Sequence, residues 1–350
     1  MIELPNPRNT GRSGASFKTI MLVALLLVGY PLAAQDSRQP NTETPKTKPM
    51  YQPIEFQSEG ATLRGRLYLP ENDAGKLPVV VMAHGYSATI EGMVADRFAE
   101  VFRDAGFAVI LYDHRNLGIS DGEPRLEINR WTQARGFRDA IDYGVSLPEL
   151  DSARIGLWGD SMSGDVALFV AAMDQRVKTV VVQVPALGRE LPPPDPDGSL
   201  FQQLKTTFYE GDISVPETTI GPMPVVSFDQ QTIPSLLKPL TAYRWFMEYG
   251  ARHNTGWVNH ATYVVPMVPV KFSSVICVPH LKAAVLMQVA YDDEMPGANP
   301  EVARYAYQQT PEPKELQEIE GGHFGLLFYP SELFDQVSRA QAGFFIQHLK

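Results

Sequence analysis

A serine hydroxyl is a weak nucleophile at neutral pH unless a histidine takes its proton and a carboxylate orients that histidine. Ser161 stands where such activation is plausible, in Arg154-Ile-Gly-Leu-Trp-Gly-Asp-Ser-Met-Ser-Gly-Asp165. The apolar run Ile155 to Trp158 reads as a short buried strand, and Val166 to Met173 reads as a helix. Between them lies Gly159-Asp160-Ser161-Met162-Ser163-Gly164. Small residues at a strand-to-helix switch predict a nucleophile elbow that lifts Ser161 above the sheet edge. The G-x-S-x-G pattern is broken at its last position, where Ser163 stands and glycine follows one residue later. The competing reading makes Ser161 an ordinary helix N-cap.

Seven histidines are available as base. His323, in Glu320-Gly-Gly-His-Phe-Gly325, follows an apparent strand, Lys314 to Ile319, and precedes the last helix. Two glycines let its loop swing back toward Ser161. His348 belongs to the final helical turn, while His253, His260 and His280 lie in or beside an irregular segment. The carboxylate is expected after the strand that ends near Ala290, since the chain order is serine, acid, histidine. Tyr291-Asp-Asp-Glu-Met-Pro296 offers three acids: Asp293 first, Asp292 second and Glu294 third, with spacing unable to separate them. An oxyanion needs two backbone N–H groups, one from the residue after the nucleophile and one from an early loop. These are Met162 and Tyr86, the latter in His84-Gly85-Tyr86, where His84 is expected to brace the loop.

The elements that must hold these residues follow a regular pattern. Ile54 to Ser58 and Thr62 to Leu69 alternate apolar and polar residues across Glu59-Gly60, an antiparallel hairpin. Val79–Ala83, Ala108–Tyr112, Ile155–Trp158, Thr179–Gln183 and Ala283–Val289 are wholly apolar, as buried parallel strands are. Amphipathic stretches separate them, at 96–105, 131–145, 164–173, 300–309 and 332–349. The pattern is that of an α/β, mostly parallel, doubly wound sheet with an N-terminal antiparallel hairpin. Residues from about 188 to 271 break the rhythm and read as a lid insertion over the sheet's carboxyl edge. Trp245, Phe246, Tyr249, Trp257 and Tyr263 in it suit an apolar substrate site, with Trp245 and Trp257 foremost.

The net charge of −10 and a pI near 5.2 argue against a nucleic-acid partner. The single cysteine, Cys277, excludes an internal disulfide and a cysteine-rich zinc site, and reads as a buried hydrophobe. Residues 1–34 have the pattern of a signal peptide: Arg8, Arg12 and Lys18, then Ile20 to Val28, then Ala33-Ala34. That predicts an exported protein, with an uncleaved N-terminal anchor as the alternative and the only route to a membrane. Residues 35–50 read as a flexible linker, and 51–350 as the folded domain.

His84-Gly-Tyr, Asp113-His-Arg-Asn-Leu-Gly-Ile-Ser-Asp-Gly122, the elbow and Gly321-Gly-His323 together resemble the α/β-hydrolase superfamily. Ser120-Asp-Gly-Glu-Pro-Arg125, Ala140-Ile-Asp-Tyr143 and Arg154 to Gly159 resemble its dienelactone-hydrolase-related branch, which holds esterase-like proteins and polyketide transferases. The resemblance runs from about Tyr51 to the C-terminus. It implies the α/β-hydrolase fold, a Ser161–Asp293–His323 triad, structural roles for Asp113 and Arg115, and no metal or organic cofactor. True dienelactone hydrolases carry cysteine where this chain has Ser161, so lactone specificity is not inherited. The expected activity is hydrolysis of a small-molecule carboxylic ester through an acyl-enzyme. The alternatives are a thioesterase or acyltransferase, an exopeptidase that holds a free amine with Glu190, Asp195, Asp197 or Glu248, and a non-catalytic binding protein.

Overall fold

The computed structural model describes residues 50–71, 75–252 and 254–350. The leader and nearly all of the linker read from the sequence lie outside the described residues, as does His253.

The chain opens with β1 (Gln52–Ser58), β2 (Ala61–Tyr68) and β3 (Leu77–Ala83), then α1 (Ala95–Asp104) and β4 (Ala108–Tyr112). A two-residue strand, β5 (Glu127–Ile128), precedes α2 (Arg130–Ser146), β6 (Leu150–Asp160), α3 (Ser161–Met173) and β7 (Val177–Gln183). The insertion then contributes α4 (Ser199–Glu210), β8 (Pro216–Met223), α5 (Leu240–Trp245) and β9 (Ala261–Pro266). A short α6 (Ser274–Cys277) leads back to β10 (Ala284–Ala290), α7 (Pro300–Gln309), β11 (Lys314–Ile319) and α8 (Glu332–Leu349).

Eight strands form one sheet in the order β1-β2-β4-β3-β6-β7-β10-β11. The hairpin strand β2 runs antiparallel to β1 and to β4. From β4 to β11 every neighbouring pair is parallel. Strand β3 shows why its sequence is apolar throughout. Val79, Val81 and Ala83 enter one hydrophobic cluster, while Val80 and Met82 enter the other. Side chains alternate across a strand, so covering both faces leaves no position for a polar residue.

The insertion differs from a simple lid. Helix α4 packs on the helical layer: Phe208 meets Phe169 edge-on, and Arg135 donates to the carbonyls of Thr207, Phe208 and Gly211. Strands β8 and β9 join β5 in a separate three-stranded sheet. The segment around α5 is the part that reaches the carboxyl ends of the main strands, where Trp245 Nε1 donates to the Leu327 carbonyl at 2.9 Å. Among the described residues no helix is long and apolar enough to cross a membrane.

Candidate active site

Strand β6 ends at Asp160 and α3 begins at Ser161 without an intervening loop. The chain makes that turn by placing Ser161 at φ 51°, in the left-handed region, which costs a non-glycine residue about 1–3 kcal/mol. The helix cap position is Asp160 rather than Ser161, and Asp160 makes no side-chain cap hydrogen bond. Gly159 is required, because a Cβ there would lie 2.2 Å from the Ser163 carbonyl oxygen. The strain is thus held between β6 and α3, and the Ser161 carbonyl is anchored by the Ala186 N–H at 2.9 Å.

His323 and Asp293 meet Ser161. His323 Nε2 lies 2.9 Å from Ser161 Oγ, and Nδ1 lies 2.8 Å from Asp293 Oδ2. The His323 and Asp293 side chains are 3% and 1% exposed, so water competes little for these bonds. A carboxylate only accepts, which puts the neutral imidazole's proton on Nδ1 and leaves Nε2 to accept from the serine hydroxyl.

The three successive acids divide the work of holding the histidine loop. Asp292 accepts from the Gly321 and Gly322 N–H groups, at 3.2 and 3.0 Å. Asp293 faces the ring and also accepts from Met295 N–H at 2.9 Å. Glu294 Oε2 accepts from the His323 N–H at 2.9 Å, and its other oxygen accepts from the Thr241 hydroxyl at the start of α5. Gly322, at φ 66°, leaves the space that Glu294 fills; a Cβ there would lie 2.5 Å from Oε2. Sequence spacing could not rank these acids, and nothing in it marked Asp292 and Glu294 as anchors of backbone amides.

The early loop runs against the elbow. A Cβ on Gly85 would lie 3.0 Å from the Ser161 Cβ and 3.1 Å from the Asp160 carbonyl oxygen. Tyr86 follows directly, and Met162 occupies the first turn of α3, where an N–H has no intrahelical acceptor. Both predicted oxyanion donors are therefore beside Ser161. His84 braces this loop through its ring, with Nδ1 3.1 Å from Asp160 Oδ2 and Nε2 against the Met93 carbonyl. Burial alone favours the neutral ring, yet the Asp160 carboxylate and the Met93 carbonyl outweigh it and raise the His84 pKa. Asp113 is structural: it accepts from the Ile90 and Ile119 N–H groups, and burial pushes its carboxyl up to about 6 against those two bonds.

A cavity of about 30 Å³ opens on Ser161 and His323. Trp245, Phe246 and Leu237 from the insertion line it together with Met295, Phe324 and Leu327. Trp257 does not line it, contrary to expectation: its ring stacks on the far face of Phe246 at 5.2 Å. Tyr249 and Tyr263 are also absent from the lining; Tyr249 bonds Tyr329, and Tyr263 packs on Tyr86. None of Glu190, Asp195, Asp197 and Glu248 reaches the cavity. Asp195 and Asp197 accept from backbone N–H groups at the start of α4, and Glu248 pairs with Arg252. No group of three or more His, Cys, Asp or Glu side chains among the described residues is arranged to hold a metal.

Residues 59–190, well under half of the chain, match the family model described as X-Pro dipeptidyl-peptidase (S15 family). A thiohydrolase of Aspergillus aculeatus is 41% identical over 138 residues, 39% of this chain and 42% of the relative. A polyketide transferase of Penicillium crustosum is 39% identical over 135 residues, 38% of this chain and 44% of the relative. The chain thus spans less than half the length of these curated relatives. The crystal structure of an α/β hydrolase from Penicillium sp. sh18 superposes with a TM-score of 0.64 at 24% identity, covering 85% of this chain and 99% of that one. The strand order, the elbow and that superposition agree: the chain is an α/β-hydrolase by fold, and its relatives are enzymes of the hydrolase and acyl-transferase type.

Proposed function

We propose that the protein is a serine hydrolase that cleaves a carboxylic ester with a short acyl group. The observation that carries the reading is the continuous hydrogen-bond line from Ser161 Oγ through His323 to Asp293, at 2.9 and 2.8 Å. Ser161 Oγ attacks the ester carbonyl carbon as its proton passes to His323 Nε2. The carbonyl oxygen becomes an oxyanion held by the N–H groups of Tyr86 and Met162. Asp293, already bonded at Nδ1, stabilises the imidazolium without taking its proton. The tetrahedral intermediate collapses, and His323 gives its proton to the departing alkoxide. Water then repeats the sequence on the acyl-serine, freeing the acid and restoring the Ser161 hydroxyl.

The cavity's small volume and apolar lining favour an acyl chain of a few carbons, with the alcohol facing outward. A second reading has a thioester as acyl donor, or an acceptor other than water. It is favoured by relatives named thiohydrolase and polyketide transferase. Export belongs to the same proposal and rests on the charged, apolar and small-residue order of residues 1–34. N-terminal sequencing of the mature protein would test it.

A fluorophosphonate probe phosphonylates a serine that a base and an oxyanion site activate. Labelling at Ser161, lost in His323→Ala, together with turnover of nitrophenyl acetate, is the expected result. Faster turnover of an acetyl thioester than of the matched ester, or transfer to an added alcohol, would select the second reading. Folded protein that takes no label and turns over neither substrate would leave a binding protein on this fold.

A further inference from the structure

The serine that replaces the motif's last glycine is fully buried and makes two directed contacts. Ser163 Oγ donates to the His84 carbonyl, and His114 Nε2 lies 2.9 Å from the same oxygen. The hydroxyl proton is committed to the carbonyl, so His114 must be the donor through Nε2–H. That leaves His114 Nδ1 bare, and it is buried with no partner. Burial pushes the His114 pKa down to about 3, against the opposing pull of the nearby His84 backbone, consistent with a neutral ring. His84 is thereby gripped twice by the elbow: its ring by Asp160, the residue before Ser161, and its carbonyl by Ser163, two residues after it. The two oxyanion donors belong to separate elements, Tyr86 to the early loop and Met162 to α3. A glycine at position 163 would leave Asp160–His84 as the side-chain hydrogen bond between the elbow and the loop, beyond the pairing of Ala83 with Gly159 at the strand ends.

We propose that Ser163 is a positioning residue that sets the spacing between the two oxyanion donors by tying the His84 carbonyl to the elbow, with His114 orienting its hydroxyl. The inference rests on the ester-hydrolase reading of the site. A donor pair is worth most when its geometry matches the oxyanion rather than the ground-state carbonyl. Loosening the tie should therefore weaken binding of the transition state and leave binding of the substrate nearly untouched.

The test compares Ser163→Ala with wild type on nitrophenyl acetate and on an aryl trifluoromethyl ketone, which adds Ser161 Oγ to form a bound oxyanion. The expected result is a fall in kcat of about 10- to 100-fold with KM within about two-fold. Affinity for the ketone should fall by a similar factor. Ser163→Cys, which keeps a weak donor, should recover part of the loss. His114→Phe keeps the ring's edge contacts with Tyr112 and Phe137 but removes the N–H. It should lose less than Ser163→Ala, and it supplies the measurement if that variant does not fold. Folded Ser163→Ala or His114→Phe protein with unchanged kcat and ketone affinity would overturn the proposal. Ser161→Ala separates the two levels of inference: if it retains turnover, the hydrolase reading itself fails; if it abolishes turnover while Ser163→Ala does not matter, only the positioning role fails.

Discussion

The two sides of the site are held by different means. On the nucleophile side, strand ends β3 and β6 carry the early loop and the elbow, and the contacts between them are buried. Ser163, His84, His114 and Asp160 are each no more than 2% exposed. On the base side, Asp292 and Glu294 hold the histidine loop by accepting its backbone N–H groups, Asp293 bonds the ring, and one of the three also grips the insertion. Glu294 bonds His323 N–H with one oxygen and the Thr241 hydroxyl with the other. The nucleophile is thus fixed by the sheet, whereas the base shares an anchor with the segment that closes the cavity.

The strongest check treats both sides alike. Ser161→Ala and His323→Ala should each lower kcat/KM for nitrophenyl acetate by about 10⁴-fold or more, because triad members act as one unit. Asp293→Asn should fall nearly as far, since an amide can present its N–H to Nδ1 and hold the ring in the wrong tautomer. A loss at Asp293 of only a few-fold, with Asp292→Asn costing more, would reassign the acid.

The next largest effect separates the sides. Glu294→Gln keeps one acceptor for His323 N–H but weakens the tie to Thr241, and should lower kcat about 10-fold through displacement of the base. Thr241→Val removes only the insertion's half of that tie. If its kcat falls with Glu294→Gln, the lid and the base are coupled; if kcat is unchanged, the anchoring of His323 is independent of the insertion. Phe246→Ala, measured across acetate, butyrate and hexanoate esters, should shift preference toward the longer chains by a few-fold. Each added methylene gains about 0.8 kcal/mol when it is buried in an apolar pocket. Trp257→Ala, behind Phe246, should change that preference less.

What was legible in the sequence follows the same division. The central strands were readable because burial on both faces demands unbroken apolar runs. Strand β6 was under-read at its start, since Asp151 to Arg154 are half-exposed or exposed where they extend past the core. The elbow, His323 and the early loop were legible because tight turns restrict residue size and leave a visible motif. The small sheet was not. Every residue of β8 except Met223 is exposed, so it has no alternation, and β5 has only two residues. Spacing could not show that Trp245 and Phe246 face the cavity while Trp257 backs them, because one helical turn and a loop decide it. Ser163 was visible only as a flaw in a motif. Its partners, His84 and His114, lie 79 and 49 residues away, a distance no local pattern spans.

The last expected effect concerns stability on the nucleophile side rather than turnover. His114 is buried and neutral, with its pKa down at about 3 against about 6.5 in the unfolded chain. Below pH 6.5 the unfolded state binds a proton there that the folded state refuses. The stability associated with keeping His114 neutral is fully present above pH 6.5 and is lost as pH falls toward 3. Between pH 6.5 and 4.5 that amounts to about 3 kcal/mol at most. Burial of Asp113 works in the opposite sense. Its folded pKa, near 6, lies above the unfolded value, so it favours the folded state below about pH 4 and ceases to do so as pH rises through 6. In His114→Phe the first contribution is gone and the second remains. Urea midpoints measured from pH 7 to pH 4.5 should therefore fall less in the variant than in wild type. Equal slopes would mean that His114 takes up a proton in the folded protein, and a charged ring would donate from both nitrogens. The buried Nδ1 would then need an acceptor, and the neutral role of His114 on this side of the site would be wrong.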